Sequence, residues 1–303
     1  MQVYLPIAEM SVDALLLLGI GFGVGWLSGL FGVGGGFLLT PVLILIGIPS
    51  AVAVGSGANQ TLGASVSGLM AQWRRGNVDV RMGTVLLIGG FVGSAAGVQL
   101  FAWLRRAGQV DLAVAVFYIV VLGTVGALMV RESVRAILRR RRKAGAARLH
   151  EHSWMHGLPF KMRFRKSRLY ISVIPPLLVG FVIGVLSAVM GVGGGFMLVP
   201  AMIYLLGMPT AVVIGTSLFQ VVFVTANVTF LQAVQVGSVD IVLTLLLLAG
   251  GVAGAQFGAA MGTRLRGEET RALLGVLVLA VAAALLWDML RVPEDLFVIG
   301  PVP

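Results

Sequence analysis

One glycine-rich stretch, Phe31-Gly-Val-Gly-Gly-Gly-Phe37, returns 159 residues later as Met190-Gly-Val-Gly-Gly-Gly-Phe196. Self-similarity at a nearly constant offset indicates a duplicated unit. Three further pairs continue the match across two single-residue insertions: Gly47-Ile-Pro49 with Gly207-Met-Pro209, Gln60 with Gln220, and Gly76-Asn-Val-Asp79 with Gly237-Ser-Val-Asp240. We therefore divide the chain into a first repeat at 1–130, a linker at 131–170 and a second repeat at 171–303.

The composition places both repeats in a membrane. Hydrophobic residues make up 58% of the 303 residues and charged residues 11%, with a mean hydropathy of +1.00, whereas a soluble domain carries about 25% charged residues. The expected fold is an all-α integral membrane protein, since about 20 apolar residues span a bilayer as a helix. Each repeat has five apolar segments, which cover 12–30, 36–48, 52–72, 83–104 and 110–130, then 172–189, 195–207, 211–235, 241–262 and 271–290.

The second segment of each repeat is too short to cross an untilted bilayer, and it directly follows the glycine cluster. Four glycines in five positions disfavour a continuous helix. We interpret each cluster as a break between a helix and a short helix, which together either form a crossing pair or re-enter the membrane. Both options leave an odd number of crossings per repeat, so the second repeat is expected to have inverted topology.

The charge distribution agrees with this inversion. Thirteen basic residues between Arg131 and Arg168, opposed only by Glu132 and Glu151, account for the formal net charge of +10. By the positive-inside rule the linker is cytoplasmic and both termini are outside. The loop from Arg74 to Arg81 then lies inside, and its counterpart at 235–240, which has no Lys or Arg, lies outside. Arg105 and Arg106 are an exception to the rule.

Because the basic charge is confined to one loop, it does not indicate nucleic-acid binding. The linker either lies on anionic lipid of the inner leaflet, where each surface Lys or Arg contributes about 1 kcal/mol, or is a disordered tether. The chain has no cysteine, and its three histidines, His150, His152 and His156, all lie in the linker. We therefore expect no metal site, no cofactor and no enzyme activity, because no catalytic set of side chains is present.

Two kinds of glycine pattern can be distinguished. Glycines spaced by four lie on one helix face and allow another helix to approach closely, so their role is interpreted as packing. They are Gly21, Gly25 and Gly29, Gly89, Gly93 and Gly97, Gly180 and Gly184, and Gly250, Gly254 and Gly258.

The glycine clusters themselves are candidate substrate sites. A non-helical break in a membrane must be buried or line a cavity, and the short helix after it points its N-terminus there, which attracts anions. A tight packing turn without ligand is the alternative. The third segment adds a polar cluster that either faces the substrate or bonds between helices. The candidate substrate-binding residues are Gly34, Gly35, Gly36, Ser56, Asn59 and Gln60, with Gly193, Gly194, Gly195, Thr216, Ser217 and Gln220.

These motifs resemble the TauE/SafE family of sulfite exporters. The stretch Gly29–Phe37 with Pro41, Gly47-Ile-Pro49 and Ser56 to Gln60 is similar to the first half of that family. Ser187–Phe196 with Pro200 and Thr216 to Gln220 is similar to its second half. The resemblance implies a multi-pass permease of the bacterial inner membrane for small sulfur-containing anions such as sulfite, sulfoacetate and other organosulfonates.

The expected function is a secondary transporter, in the direction of export, that moves such an anion by alternating access. A passive anion channel and a non-transporting membrane scaffold are the alternatives. No Lys, Arg, His, Asp or Glu lies near the middle of any apolar segment. Two helix N-termini, each equivalent to about half a charge, suit a monoanion better than a dianion. A proton could then travel on the substrate.

Overall fold

The computed structural model describes residues 2–31, 36–141, 159–164, 166–167, 169–262 and 267–290. Within these ranges there are ten α-helices and two hairpins of two strands. The first repeat consists of β1 Gln2–Leu5, β2 Met10–Asp13, α1 Ala14–Phe31, α2 Gly36–Leu45, α3 Ser50–Arg74, α4 Val80–Arg106 and α5 Val110–Arg141. The second consists of β3 Lys161–Phe164, β4 Leu169–Ser172, α6 Ile174–Met190, α7 Gly195–Tyr204, α8 Thr210–Leu231 with a π-helical turn at Gln232–Val236, α9 Ile241–Gly262 and α10 Gly267–Leu290.

The helices fall on the ten apolar segments expected from the sequence. Five of the described helices are long and apolar enough to cross a membrane: α4, α5, α8 with its π-helical turn, α9 and α10. Helix α3 has 25 residues, but Ser56, Asn59, Gln60 and Thr61 lower its hydropathy. Residues 52–58 of α3 are all buried, so this polar helix lies in the interior, where other helices surround it.

Local sequence sets the helix ends. Asp79 caps α4 by accepting the backbone N–H of Met82, which satisfies one of the unpaired donors of a first turn. Pro175 and Pro176 stand in the first turn of α6, where a missing N–H costs nothing. After the two short helices, Gly47 and Gly207 adopt φ of +88° and +70°, a conformation that glycine tolerates best. Pro49 and Pro209 then lead into α3 and α8.

The two hairpins correct the expectation of an all-α chain. Strand β1 pairs antiparallel with β2, and β3 with β4. Each strand has four residues, so its alternation is too short to signal a strand beside the long apolar segments. The hairpins precede α1 and α6 at an offset of 159 residues, so the duplicated unit begins before α1. Strand β3 falls within the basic segment that the sequence analysis treats as linker.

Packing between the repeats is reciprocal. Helix α1 packs on α9, and α6 packs on α4. A Cβ at Gly250, Gly254 or Gly258 would overlap the carbonyl oxygen of Leu18, Phe22 or Trp26. In the same way, a Cβ at Gly89, Gly93 or Gly97 would overlap the carbonyl oxygen of Leu177, Phe181 or Val185. In both helix pairs the residue numbers of the contacting positions increase together, so the paired helices run parallel, with their backbones in contact. The packing role predicted for these glycines is confirmed.

Helices α3 and α8 form the centre and run antiparallel. Gly55, near the start of α3, lies against Ser238, just after the π-helical turn that ends α8. Gly215, near the start of α8, lies against Asn77, just after the end of α3. Gly68 near the end of α3 meets Leu218 near the start of α8. Helices α5 and α10 pack on each other. Thus α3 and α5 each pack on their own equivalent in the other repeat, whereas α1 packs on the equivalent of α4, and α4 packs on the equivalent of α1.

Candidate substrate site

The second glycine cluster forms the break that its sequence predicts. Helix α6 ends at Met190, and Gly191, Gly193 and Gly194 all have positive φ, of +69°, +72° and +73°. Only glycine adopts several such residues in succession without strain. Helix α7 then begins at Gly195. In the first repeat α1 ends at Phe31 and α2 begins at Gly36, while Gly34 and Gly35 lie outside the described residues.

The two breaks come together in the interior. Phe37 and Phe196, each the second residue of its short helix, stack with ring centroids 5.3 Å apart and an interplanar angle of 27°. A Cβ at Gly36 would stand 2.8 Å from the carbonyl oxygen of Val192 in the opposite break. The buried Tyr118 of α5 donates a hydrogen bond to the carbonyl oxygen of Met190, which holds the end of α6 at this point.

The N-terminus of α7 offers free donors. Met197 and Leu198 donate to the carbonyl oxygen of Gly194, the residue before α7, and the first N–H groups of an α-helix have no acceptor within the helix. Residues 191–196 are buried. Unpaired N–H groups at a helix N-terminus, together with the helix dipole, favour an anion.

Helices α3 and α8 meet at this break. A Cβ at Gly193 would collide with side-chain methyls of Thr61 on α3 and of Val221 and Thr225 on α8. The hydroxyl of Thr61 lies where a Cβ on Gly36 would stand. Thr61 and Val221 directly follow Gln60 and Gln220 in sequence, so both glutamines are one residue away from the side chains that line the break.

The two glutamines are the outstanding polar groups of this region. Gln60 and Gln220 are 0% and 1% exposed. Both polar atoms of each amide are without a hydrogen-bond partner among the described residues. Leaving a buried amide unpaired costs roughly 1–3 kcal/mol, so two such amides at equivalent positions call for an explanation. Each lies ten residues into its helix, about 15 Å along the axis and near half of a hydrocarbon core of about 30 Å.

Each glutamine faces a glycine of the opposite repeat. The Nε2 of Gln60 lies where a Cβ on Gly251 of α9 would stand. A Cβ on Gly90 of α4 would stand 2.9 Å from the Nε2 of Gln220. Gly90 and Gly251 are themselves equivalent in the duplication. Glycine at these positions therefore leaves the space that the amides occupy.

The remaining candidates are placed in different ways. Ser56 is buried and its hydroxyl is unpaired among the described residues, and Asn59 is half-buried. Ser217 donates to the carbonyl oxygen of Ile214 at 3.0 Å. Thr216 accepts the backbone N–H of Asp79 at 3.0 Å. The structure thus brings Gly36 and Gly193 against Thr61 of α3, and it places Gln60 and Gln220 against glycines of α9 and α4. Thr216 and Ser217 are used in hydrogen bonds within the protein.

Two buried carboxylates were not singled out from the sequence. Asp79 and Asp240, at the starts of α4 and α9, are 3% and 0% exposed. Asp79 accepts the N–H of Met82 with Oδ1, and the N–H and hydroxyl of Ser167 with Oδ2. Asp240 accepts the N–H groups of Val242 and Leu243 with Oδ1 and that of Ile7 with Oδ2. The sequence signal that could have identified them is the motif Gly-x-Val-Asp, which ends in each of these aspartates and occurs in both repeats.

Each aspartate therefore joins a helix of one repeat to the hairpin of the other. Asp79 of the first repeat holds the turn between β3 and β4, and Asp240 of the second holds the turn between β1 and β2. The contacts also define two ends of the bundle. One end contains the hairpin β1–β2 and the loop at 237–240, and the other contains the hairpin β3–β4 and the loop at 75–79.

Among the described residues no group of three or more His, Cys, Asp or Glu could hold a metal ion. Asp13, just before α1, has its pKa lowered because it accepts the backbone N–H of Leu15. Its carboxylate is therefore ionised at neutral pH.

Comparison with known proteins gives consistent matches over most of the chain. The family model described as "Sulfite exporter TauE/SafE" matches residues 17–285. A "Probable membrane transporter protein" of Xylella fastidiosa (strain 9a5c) is 27% identical over 287 residues, covering 92% of this chain and 97% of the relative. "Probable membrane transporter protein YjnA" of Bacillus subtilis (strain 168) is 26% identical over 273 residues, covering 89% and 97%. No solved structure matches the chain.

Proposed function

The chain belongs to the sulfite exporter TauE/SafE family of multi-pass membrane transporters, and we propose that it exports a small sulfur-containing anion, sulfite or an organosulfonate, as a secondary transporter of the bacterial inner membrane. The substrate meets Gln60, Gln220 and the amides of the two glycine breaks. Ser56 and Asn59 line the approach along α3. The relatives are named as transporters, which favours this role over catalysis.

One observation carries the proposal: two buried glutamine amides, without partners in the part of the chain that the structure describes, occupy equivalent positions of the two repeats. A protein that only needed to pack α3 against α9 would gain stability from an apolar side chain, because an unpaired buried amide is costly. An oxyanion accepts hydrogen bonds from amide Nε2 and backbone N–H groups. The cost is then offset whenever substrate is bound.

Alternating access is supported by the direction of the helices. Helix α1 runs parallel to α9, α4 runs parallel to α6, and α3 runs antiparallel to α8. The loop between α3 and α4 and the loop between α8 and α9 are short, so each of these loops joins two antiparallel helices. Taken together, these directions support two repeats of opposite orientation in the membrane. Many transporters have inverted repeats around a site near the midplane. In such a transporter the outward-open and inward-open forms differ in that the two repeats exchange conformations. We propose the basic linker inside and both termini outside.

The glutamines provide the first test. Replacing Gln60 or Gln220 by Leu removes the donors, and a hydrogen bond to a charged group contributes about 1.5–3 kcal/mol. We expect sulfite transport into sealed vesicles to fall about tenfold or more, with normal expression. Gln109→Leu, at an exposed position after α4, is the matched control. Unchanged transport in both buried variants would show that the amides do not contact substrate.

The charge of the substrate provides the second test. With donors that are neutral, a monoanion is compensated better than a dianion. We expect sulfite transport to follow its monoanion fraction across neutral pH, and transport of a sulfonate that stays singly charged to be flat. The same steep pH dependence for both anions would instead require a titrating protein group. Accumulation against a gradient would distinguish a transporter from a passive channel.

A further inference from the structure

The hairpin β3–β4 borders an apolar groove on the outside of the bundle. The groove has a volume of about 460 Å³, within the range of about 300–1,000 Å³ that is common for ligand sites. One wall is the start of β3 and the other is the first turns of α6. Its lining residues are Phe160, Lys161, Met162, Val173, Ile174, Leu177 and Leu178. Lys161 is the single ionisable group among them.

The hairpin is amphipathic. In the antiparallel register Lys161 pairs with Ser172 and Arg163 with Tyr170, whereas Met162 pairs with Ile171 and Phe164 with Leu169. Paired residues point to the same face, so one face is basic and polar and the other is apolar. Phe164 and Ile171 pack into a core with α6 and α7. On the first face Lys161, Arg163 and Tyr170 are exposed and point away from the bundle, whereas Ser172 is buried.

The equivalent hairpin on the other end of the bundle has the same form but opposite charge. Residues 161–172 include five basic residues and no acidic one, whereas residues 2–13 include Glu9 and Asp13 and no basic residue. Gln2 occupies the position of Lys161, and Tyr4 that of Arg163. The fold alone does not require cations on this hairpin. The positive-inside rule accounts for basic residues at this end, and their charge also favours an anionic partner there.

Phe160 closes the groove in an unusual backbone conformation. Its φ is +61°, which is uncommon for a residue with a side chain, and its ring is 77% exposed. Two hydrogen bonds hold this segment: Val173 N–H donates to the carbonyl oxygen of Phe160 at 3.1 Å, and the Ser172 hydroxyl donates to that of Pro159 at 2.6 Å. The conformation keeps a large apolar ring at the mouth of the groove, beside Lys161.

We propose that the groove holds an acyl chain of one anionic phospholipid, with the headgroup phosphate at Lys161. The apolar walls on α6 match a hydrocarbon chain, and Lys161 with Arg163 matches a negative headgroup. Lipid-facing surfaces that bind zwitterionic lipid need no cation, so charge selects the occupant. This proposal concerns a surface separate from the glutamine region and does not depend on which anion is transported.

Binding at this groove reaches the transport helices through defined contacts. Ser167, in the turn of the same hairpin, donates to Asp79, and the N–H of Asp79 donates to Thr216 on α8. Lys166 also donates to the carbonyl oxygen of Gly76 in the loop between α3 and α4. Lipid that fixes the hairpin therefore also fixes the ends of α3 and α8 on this side.

The test is native mass spectrometry of the full-length protein with phosphatidylglycerol and phosphatidylcholine of identical chains. We expect one tightly retained phosphatidylglycerol per chain. One Lys near the surface contributes about 1 kcal/mol, so Lys161→Gln should lower the preference for phosphatidylglycerol about fivefold. Arg75→Gln, which removes one exposed charge at the same end but outside the groove, should leave it unchanged. Leu178→Trp, which fills the groove, should lower retention of the lipid with all charges intact.

Three results would overturn the proposal. Equal retention of the two lipids would mean a non-selective lipid surface. An equal loss in Arg75→Gln and Lys161→Gln would mean diffuse charge attraction without a site. Because the chain has no cysteine, Leu178→Cys reports a different occupant: disulfide-linked dimers in the membrane would place a second copy of the chain in the groove.

Discussion

Two glycines of α9 show two different reasons for a glycine in a membrane helix. Gly251 and Gly254 lie one turn apart on α9. A Cβ on Gly254 would overlap the backbone of Phe22 and Trp26 on α1, whereas a Cβ on Gly251 would meet only the amide of Gln60. The first glycine provides space for a helix backbone, which cannot move locally, and the second provides space for a side chain.

The two glycines therefore predict different phenotypes. Gly254→Ala should push α1 from α9 and destabilise the protein by about 1–3 kcal/mol, as overpacking does. Gly251→Ala should leave thermal stability near that of the wild type, because the Gln60 side chain can rotate away, but should reduce sulfite transport. Melting curves and vesicle transport of the two variants check this. A large loss of stability in Gly251→Ala would contradict the proposed freedom of the glutamine.

Residue by residue, the recurrence of the two glutamines can be read from the sequence, whereas the hydrogen bonds around them cannot. Gln60 and Gln220 were identified because they recur in both copies on a polar face, and both are buried without a partner among the described residues. Thr216 was grouped with them as the equivalent of Ser56 in the second copy, yet its partner is the N–H of Asp79, 137 residues away. Spacing along one helix cannot reveal which neighbouring chain segment satisfies a hydroxyl.

At the level of secondary structure elements, the hairpins and the helix starts are connected by the two buried aspartates. Asp79→Asn keeps the size of the side chain but presents an amide group to the donors of Ser167. Losing hydrogen bonds to a charged acceptor costs about 1.5–3 kcal/mol. We expect amide hydrogen exchange to increase about 10-fold to 100-fold in residues 161–172 and to stay unchanged in residues 2–13.

Asp240→Asn is the reciprocal variant and the control. Its Oδ2 accepts the N–H of Ile7 in the turn between β1 and β2, so exchange should increase in residues 2–13 and stay unchanged in residues 161–172. If either variant loosened both hairpins equally, the aspartates would act on the stability of the whole bundle and not on separate ends.

The elements also show which signals a sequence carries. Long apolar segments predicted the existence of all ten helices, because hydropathy is local and strong, and they placed most helix ends within a few residues. Helix α5 is the exception, since it continues past the expected end at 130 to Arg141. The hairpins were missed because four-residue strands lack a period long enough to detect, and the cations of β3 resembled a linker. Asp79 and Asp240 were missed as buried groups because their burial depends on backbone donors 88 and 233 residues away.

For the whole molecule, the proposed orientation makes a prediction about access from the two sides of the membrane. Arg75 and Gln235 are exposed residues near the loops at opposite ends of the bundle, and the chain has no cysteine of its own. With the basic linker inside, Gln235→Cys should react with a membrane-impermeant thiol reagent in intact cells. Arg75→Cys should react only after permeabilisation. Labelling of both cysteines in intact cells would contradict opposite orientations of the two repeats.

The reciprocal packing of α1 on α9 and of α6 on α4 has a consequence for biosynthesis. As the ribosome makes the chain, α6 enters the membrane after α4 and finds its glycine face already present. Helix α1 is made first, and its partner α9 appears more than 200 residues later. The two repeats are therefore equivalent in the folded protein, but they are not equivalent during translation. Until the last part of the chain is inserted, α1 keeps its glycine face open to lipid or to a chaperone.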